Sequence, residues 1–190
     1  MAIVVIGGSA KDVGKTALVC GVIAAFRELA WTAVKITGHD YDLASPVVNR
    51  MKFPNGVIRE ETNLGAETDT ARYLAAGARR ALLVTRLGAD IPIEEIRRAL
   101  NGDRNVIFES NRIVDLLKPD ICIALVGGVT TVKKSFTRLL PMADALVNVQ
   151  NTCEVEGAPA GIPRFHLQSP DRIPEEMANW LKARLHVPPQ

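Results

Sequence analysis

The stretch GSAKDVGKT, residues 8–16, closes on glycine, lysine and threonine, the residue types that hold a phosphate chain. A lysine in that place reaches the terminal phosphates, and the threonine hydroxyl after it ligates Mg²⁺. Gly14 would let the backbone approach phosphate oxygens with no Cβ in the way. The usual spacing of such a loop puts its first glycine where this chain has Ser9, and Gly8 stands one residue further upstream. Context outweighs that irregularity. Ile3, Val4, Val5 and Ile6 form a β-branched apolar run, and residues 17–26 are apolar on all sides. Strand, glycine-bearing loop and buried helix aim backbone N–H groups and the positive end of the helix dipole at one point. The expected nucleotide-binding residues are Gly8, Ser9, Ala10, Lys11, Asp12, Val13, Gly14, Lys15, Thr16 and Ala17, with Lys15 also catalytic and Thr16 also on the metal.

Other strand ends carry the remaining chemistry. Lys35 closes a second apolar run, where an unpaired ammonium would be costly, so a phosphate or carboxylate partner is expected. His39, Asp40 and Asp42 follow it, and two carboxylates there could hold Mg²⁺ directly or through water. Glu109 ends the run Val106-Ile107-Phe108. Its carboxylate could order the metal's water shell or polarise the attacking group, or it could cap a helix beginning at Asn111. Asn148, at the end of a later run, offers an amide to a nucleobase edge. The catalytic set is thus Lys15, Lys35 and Glu109, and the metal set Thr16, Asp40, Asp42 and Glu109. No guanine-reading Asn-Lys-x-Asp motif is present, so the base, GTP or ATP, is left open.

These residues need strands to end together. Apolar runs at 32–36, 81–85, 105–109, 121–126 and 145–149 alternate with helical patterns at 67–76, 93–100, 112–117, 132–140 and 174–185. Strands alternating with helices imply a mainly parallel sheet covered on both faces, a three-layer α/β/α architecture whose ligands sit at the carboxyl ends of the strands. The 38–64 stretch lacks such patterning. It reads as a long irregular segment, mobile without ligand, that would order around the terminal phosphate as a switch or substrate loop.

The chain has 190 residues, suited to one domain over 1–190 that buries roughly 70% of its unfolded surface. A net charge of +2 with no dense basic stripe excludes a nucleic-acid partner from the expectations. Arg79-Arg80, Arg97-Arg98 and Lys133-Lys134 read as solvated helix faces. Cys20, Cys122 and Cys153 share no metal spacing, which fits a reducing cytoplasm. No signal peptide is expected, because the first residues already read as a strand, and no apolar run reaches the ~18 residues of a membrane span.

Residues 34–36, the His39-Asp40-Tyr41-Asp42 turn, the segment ETDTARYLAAGA at 67–78 and the strand closing in Glu109 resemble the molybdopterin-guanine-dinucleotide biosynthesis protein B family up to about Val126. That resemblance implies a small P-loop GTP-binding fold with Mg²⁺, slow hydrolysis, and an accessory role beside an enzyme of molybdenum cofactor biosynthesis. In the family the glutamate is usually followed by glycine, where this chain has Ser110-Asn111. The loop itself is similar to that of dethiobiotin synthetase, which also has five residues between its glycines and a substrate-binding lysine after the second strand. This resemblance implies an ATP-dependent ligase or kinase of a small carboxylate, amine or hydroxyl compound. A nucleotide-gated interaction module is the third reading. The expected partners are the nucleotide, a cofactor-biosynthesis enzyme and a second copy of the chain.

Overall fold

Alternation along the strands determines the layers. In the computed structural model, which describes residues 2–38, 49–54, 56–86, 90–127, 132–149, 155–167 and 172–185, the strands in chain order are β1 (Ala2–Gly8), β2 (Thr32–Thr37), β3 (Asn49–Phe53), β4 (Gly56–Glu60), β5 (Arg80–Arg86), β6 (Asn105–Glu109), β7 (Ile121–Gly127), β8 (Ala145–Val149) and β9 (Arg164–Leu167). The α-helices are α1 (Lys15–Ala25), α2 (Asp69–Ala76), α3 (Ile93–Ala99), α4 (Lys134–Leu139) and α5 (Glu175–Lys182). The strands form a sheet in the order β3-β4-β5-β2-β6-β1-β7-β8-β9. From β5 to β9 all neighbours run parallel, while β3–β4 and β4–β5 are antiparallel.

Successive residues of the central strands enter different interiors, as a period of two requires. Val4, Ile6, Ala33, Ile107, Ile123 and Leu125 pack with Leu18, Val22, Tyr73, Met177 and Leu181, on the side of α1, α2 and α5. Val5, Val34, Val106, Phe108, Cys122 and Ala124 pack with Ile96, Phe136 and Leu139, on the side of α3 and α4. Burial on both faces explains why these strands read as continuous apolar runs. It also confirms the mainly parallel three-layer α/β/α arrangement.

Several local expectations are corrected. The 38–64 stretch is not irregular throughout: β3 and β4 form a hairpin that extends the sheet, Val57 and Ile58 are buried, and β4 pairs with β5 from Gly56↔Arg86 to Glu60↔Leu82. Residues 39–48, with Asp40 and Asp42, lie outside the described residues. The helix expected at 112–117 is a single 3₁₀ turn, Ile113–Asp115. Arg79 and Arg80 are not on a helix. They lead into β5, where Arg80 donates to Glu60 at 2.7 Å and to Asp103 at 2.8 Å, and Arg79 pairs with Asp103. Strand β9 was not anticipated. No helix among the described residues is long and apolar enough to cross a membrane.

Candidate functional site

Parallel pairing brings the carboxyl ends of β1, β2, β6 and β7 to one edge, where β1 leads into the loop, β2 delivers Lys35 and β6 delivers Glu109. Lys35 and Glu109 are register partners on adjacent strands, so their side chains leave the same face of the sheet. Lys35 Nζ lies 3.1 Å from Glu109 Oε1 and also donates to Asp69. The carboxylate partner expected for Lys35 is therefore present twice. Burial opposes the charged form of Lys35, but the Glu109 and Asp69 carboxylates outweigh it and hold the pKa above its ordinary value.

Glu109 is buried and central. Its Oε2 accepts from the Thr16 hydroxyl at 2.8 Å and from the Tyr73 hydroxyl. Burial and then the Glu109 charge push the Tyr73 phenol well above its ordinary pKa, so it remains a donor. Glu109 caps no helix: the 3₁₀ turn after it has no side-chain cap.

The loop before α1 is shaped by two glycines. Gly14 has φ +100, a left-handed conformation that leads directly into Lys15 at the helix start. A Cβ on Gly8 would lie 2.6 Å from Val13 Cγ1 and 2.9 Å from Lys15 Cγ. Glycine at position 8, one place earlier than usual, is what lets the lysine stem fold back across the loop. Lys15 Nζ donates to the Ala10 carbonyl at 3.0 Å and forms no ion pair among the described residues. Burial lowers its pKa; Glu109 opposes this, while Lys133 and Lys35 add to it.

The resulting cleft has a volume of about 390 Å³ and is walled by Lys11, Asp12, Gly14, Lys15, Thr16 and Ala17 of the loop and by Lys35, Asp69, Arg72, Glu109 and Lys133 around it. Five expected residues are not on this wall. Gly8, Ala10 and Val13 do not line it, and the buried Ser9 hydroxyl accepts from Gly127 N at 3.2 Å. Asn148 is buried within β8, and its Oδ1 has no partner among the described residues. Asp69, Arg72, Tyr73 and Lys133 were absent from the sequence-derived site. Asp69 was legible in principle. The Thr68 hydroxyl caps α2 by accepting from Ala71 N at 3.1 Å, which sets Asp69 in the first turn.

The Ser110-Asn111 departure has a structural role. Asn111 Oδ1 accepts from Gly8 N at 2.7 Å, and its Nδ2 donates to Gly8 O at 2.9 Å, clamping the start of the loop to the end of β6. Asn111→Ala leaves both Gly8 groups without that partner. It should destabilise the fold by about 1–3 kcal/mol in a urea titration, while Asn111→Asp should restore only the accepting half.

Mg²⁺ fits the residues present in a limited way. Among the described residues no cluster of three or more His, Cys, Asp or Glu could hold a metal. The Thr16 hydroxyl beside the Glu109 carboxylate does suit an ion that keeps several waters and takes other ligands from phosphate.

No family model and no curated protein matches the chain. Similar solved structures include the following two. LpxK from Aquifex aeolicus, in complex with ATP, has a TM-score of 0.52 and 18% identity over 87% of this chain and 53% of its own. The Zn(II)-bound YjiA GTPase from E. coli has a TM-score of 0.41 and 14% identity over 79% of this chain and 49% of its own. The chain spans about half the length of either. The likeness to LpxK is one of fold alone, the mainly parallel α/β/α arrangement.

Proposed function

We propose that this chain binds a nucleoside triphosphate, ATP or GTP, with Mg²⁺ and cleaves its terminal phosphoryl bond slowly. The observation that carries the reading is the Thr16 hydroxyl 2.8 Å from the buried Glu109 carboxylate, directly behind the lysine that starts α1. In this reading the backbone N–H groups between Gly8 and Ala17 cradle the phosphates, and Lys15 lays its charge on the terminal ones. Thr16 and Glu109 would hold the metal and its water, and the metal would supply charge neutralisation for phosphoryl transfer. Lys35, held by Glu109 and Asp69 on the wall of the same cleft, adds its positive charge to the site. The ATP in LpxK supports a nucleotide in the equivalent fold.

The resemblance of residues 34–36, 39–42 and 67–78 to molybdopterin-guanine-dinucleotide biosynthesis protein B extends the proposal to an accessory role. The chain would act as one cytoplasmic domain, alone or paired with a copy of itself, beside an enzyme that attaches a nucleotide to molybdopterin. Hydrolysis stimulated by that enzyme supports this role, and stimulation by a small metabolite supports the ligase or kinase reading. The underlying test is thermal shift with ATP and GTP, each with and without Mg²⁺. A triphosphate at about 100 times its Kd adds ~2.7 kcal/mol to the stability of the folded state. A rise in melting temperature that Mg²⁺ enlarges is expected. A melting temperature unmoved by either triphosphate at millimolar concentration removes the proposal.

A further inference from the structure

A second cleft of about 220 Å³ opens beyond Lys15 and Glu109, on the α3/α4 side of the sheet edge. It shares those two residues, Ile36, Thr37 and Lys133 with the first cleft, and adds Arg86 from the end of β5 and Arg112 from the turn after β6. Among its described lining residues four are cationic, Lys15, Arg86, Arg112 and Lys133, and one is a carboxylate, Glu109. That carboxylate is already engaged by Thr16, Lys35 and Tyr73.

The two guanidiniums are close enough to matter to each other. Burial and then the Arg112 charge push the Arg86 guanidinium below its ordinary pKa. Arg112 Nε is shielded from solvent and has no hydrogen-bond partner among the described residues. An unpaired buried donor is costly, and the side chain that carries it lines the cleft. Guanidinium forks match the paired oxygens of a phosphate or carboxylate, which a lysine ammonium does not. The cavity is smaller than the roughly 300–1,000 Å³ that encloses a drug-sized ligand, so it suits one anionic group with a few atoms around it.

We propose that this second cleft binds the oxyanion, phosphate or carboxylate, of a small second substrate, gripped by Arg86 and Arg112 and presented to the phosphoryl group seated at Lys15. The proposal rests on the triphosphate reading for its purpose, but its geometry stands apart from it. The two clefts meet at Lys15 and Glu109, so a molecule anchored by its anionic end at the arginines has its other end at the terminal phosphate.

The test fills the first cleft before probing the second. The protein is saturated with a non-hydrolysable triphosphate and Mg²⁺, then titrated calorimetrically with inorganic phosphate and, separately, with acetate. One further anion should bind, phosphate if the substrate is a phosphate ester and acetate if it is a carboxylate. Arg112→Ala and Arg86→Ala should each weaken that binding about tenfold or more. Triphosphate affinity of Arg112→Ala should stay within about twofold of wild type, since its contacts lie in the other cleft. Circular dichroism checks that each variant folds, and Arg112→Lys, which retains charge without the fork, should fall between wild type and alanine. Absence of binding by both anions, or binding indifferent to both arginines, overturns the inference. Should the triphosphate itself not bind, phosphate is titrated into the unliganded protein. Loss in Arg112→Ala but not in Lys11→Ala, a change to a residue that lines the first cleft and not the second, then sustains the second cleft while the nucleotide reading falls, and the reverse pattern, or no loss in either, overturns the inference.

Discussion

Lys15→Ala is expected to abolish tight triphosphate binding while the protein stays folded. The lysine makes one internal hydrogen bond, to the Ala10 carbonyl, and no ion pair among the described residues, so the fold loses little with it. A bound triphosphate loses much more. Truncating one partner of a buried, hydrogen-bonded charge pair costs about 2–5 kcal/mol, or roughly thirtyfold to several thousandfold in affinity. Calorimetry with ATP and GTP measures the loss, and circular dichroism checks the fold. Wild-type affinity in a folded variant would remove Lys15 from the site and the phosphate loop with it.

Glu109→Gln is expected to reduce turnover far more than binding. The substitution keeps the side chain's shape and removes the charge that Thr16, Tyr73 and Lys35 converge on. Charge placed where it is needed in a phosphoryl-transfer transition state is worth on the order of 10²–10³ in rate. The amide also introduces a clash of donors: its NH₂ must face either Lys35 or the two hydroxyls, at a cost of about 1–3 kcal/mol in folding stability. Turnover is therefore measured well below the variant's own melting temperature, with nucleotide and Mg²⁺ saturating. A rate equal to wild type would reduce Glu109 to a structural carboxylate that merely neutralises Lys35.

What the sequence made legible was the part encoded locally. Each apolar run of the parallel sheet was readable because burial on both faces leaves no polar alternation to confuse it. The strands carrying Lys35 and Glu109 were readable for the same reason, since charge stands out near the close of such runs. The hairpin β3–β4 was hidden by its place at the sheet's edge, where Met51, Lys52 and Pro54 resemble loop composition. Tyr73 was hidden by distance. Only the packing of α2 against α1 shows that an apparently ordinary core aromatic sends its hydroxyl to a carboxylate 36 positions away. Lys133 and Arg112 look like solvated charges in sequence, and only the junction of four strand ends reveals that they share a cleft.

Ile107 and Phe108 are covalent neighbours, yet one belongs to the interior shared with α1 and the other to the interior shared with α3 and α4. The sheet is a partition, and the two clefts divide along it. Lys35, Asp69 and Tyr73 stand on the α1/α2 side, while Arg86, Arg112 and Ser135 gather toward the other. Away from Lys15, Glu109 and Lys133, which line both clefts, side chains on the two sides are separated by the strands, so the effects of changing them should stay on their own side. Such a chain can acquire a taste for a new second molecule by drift in one compartment, and keep its phosphate seat untouched in the other.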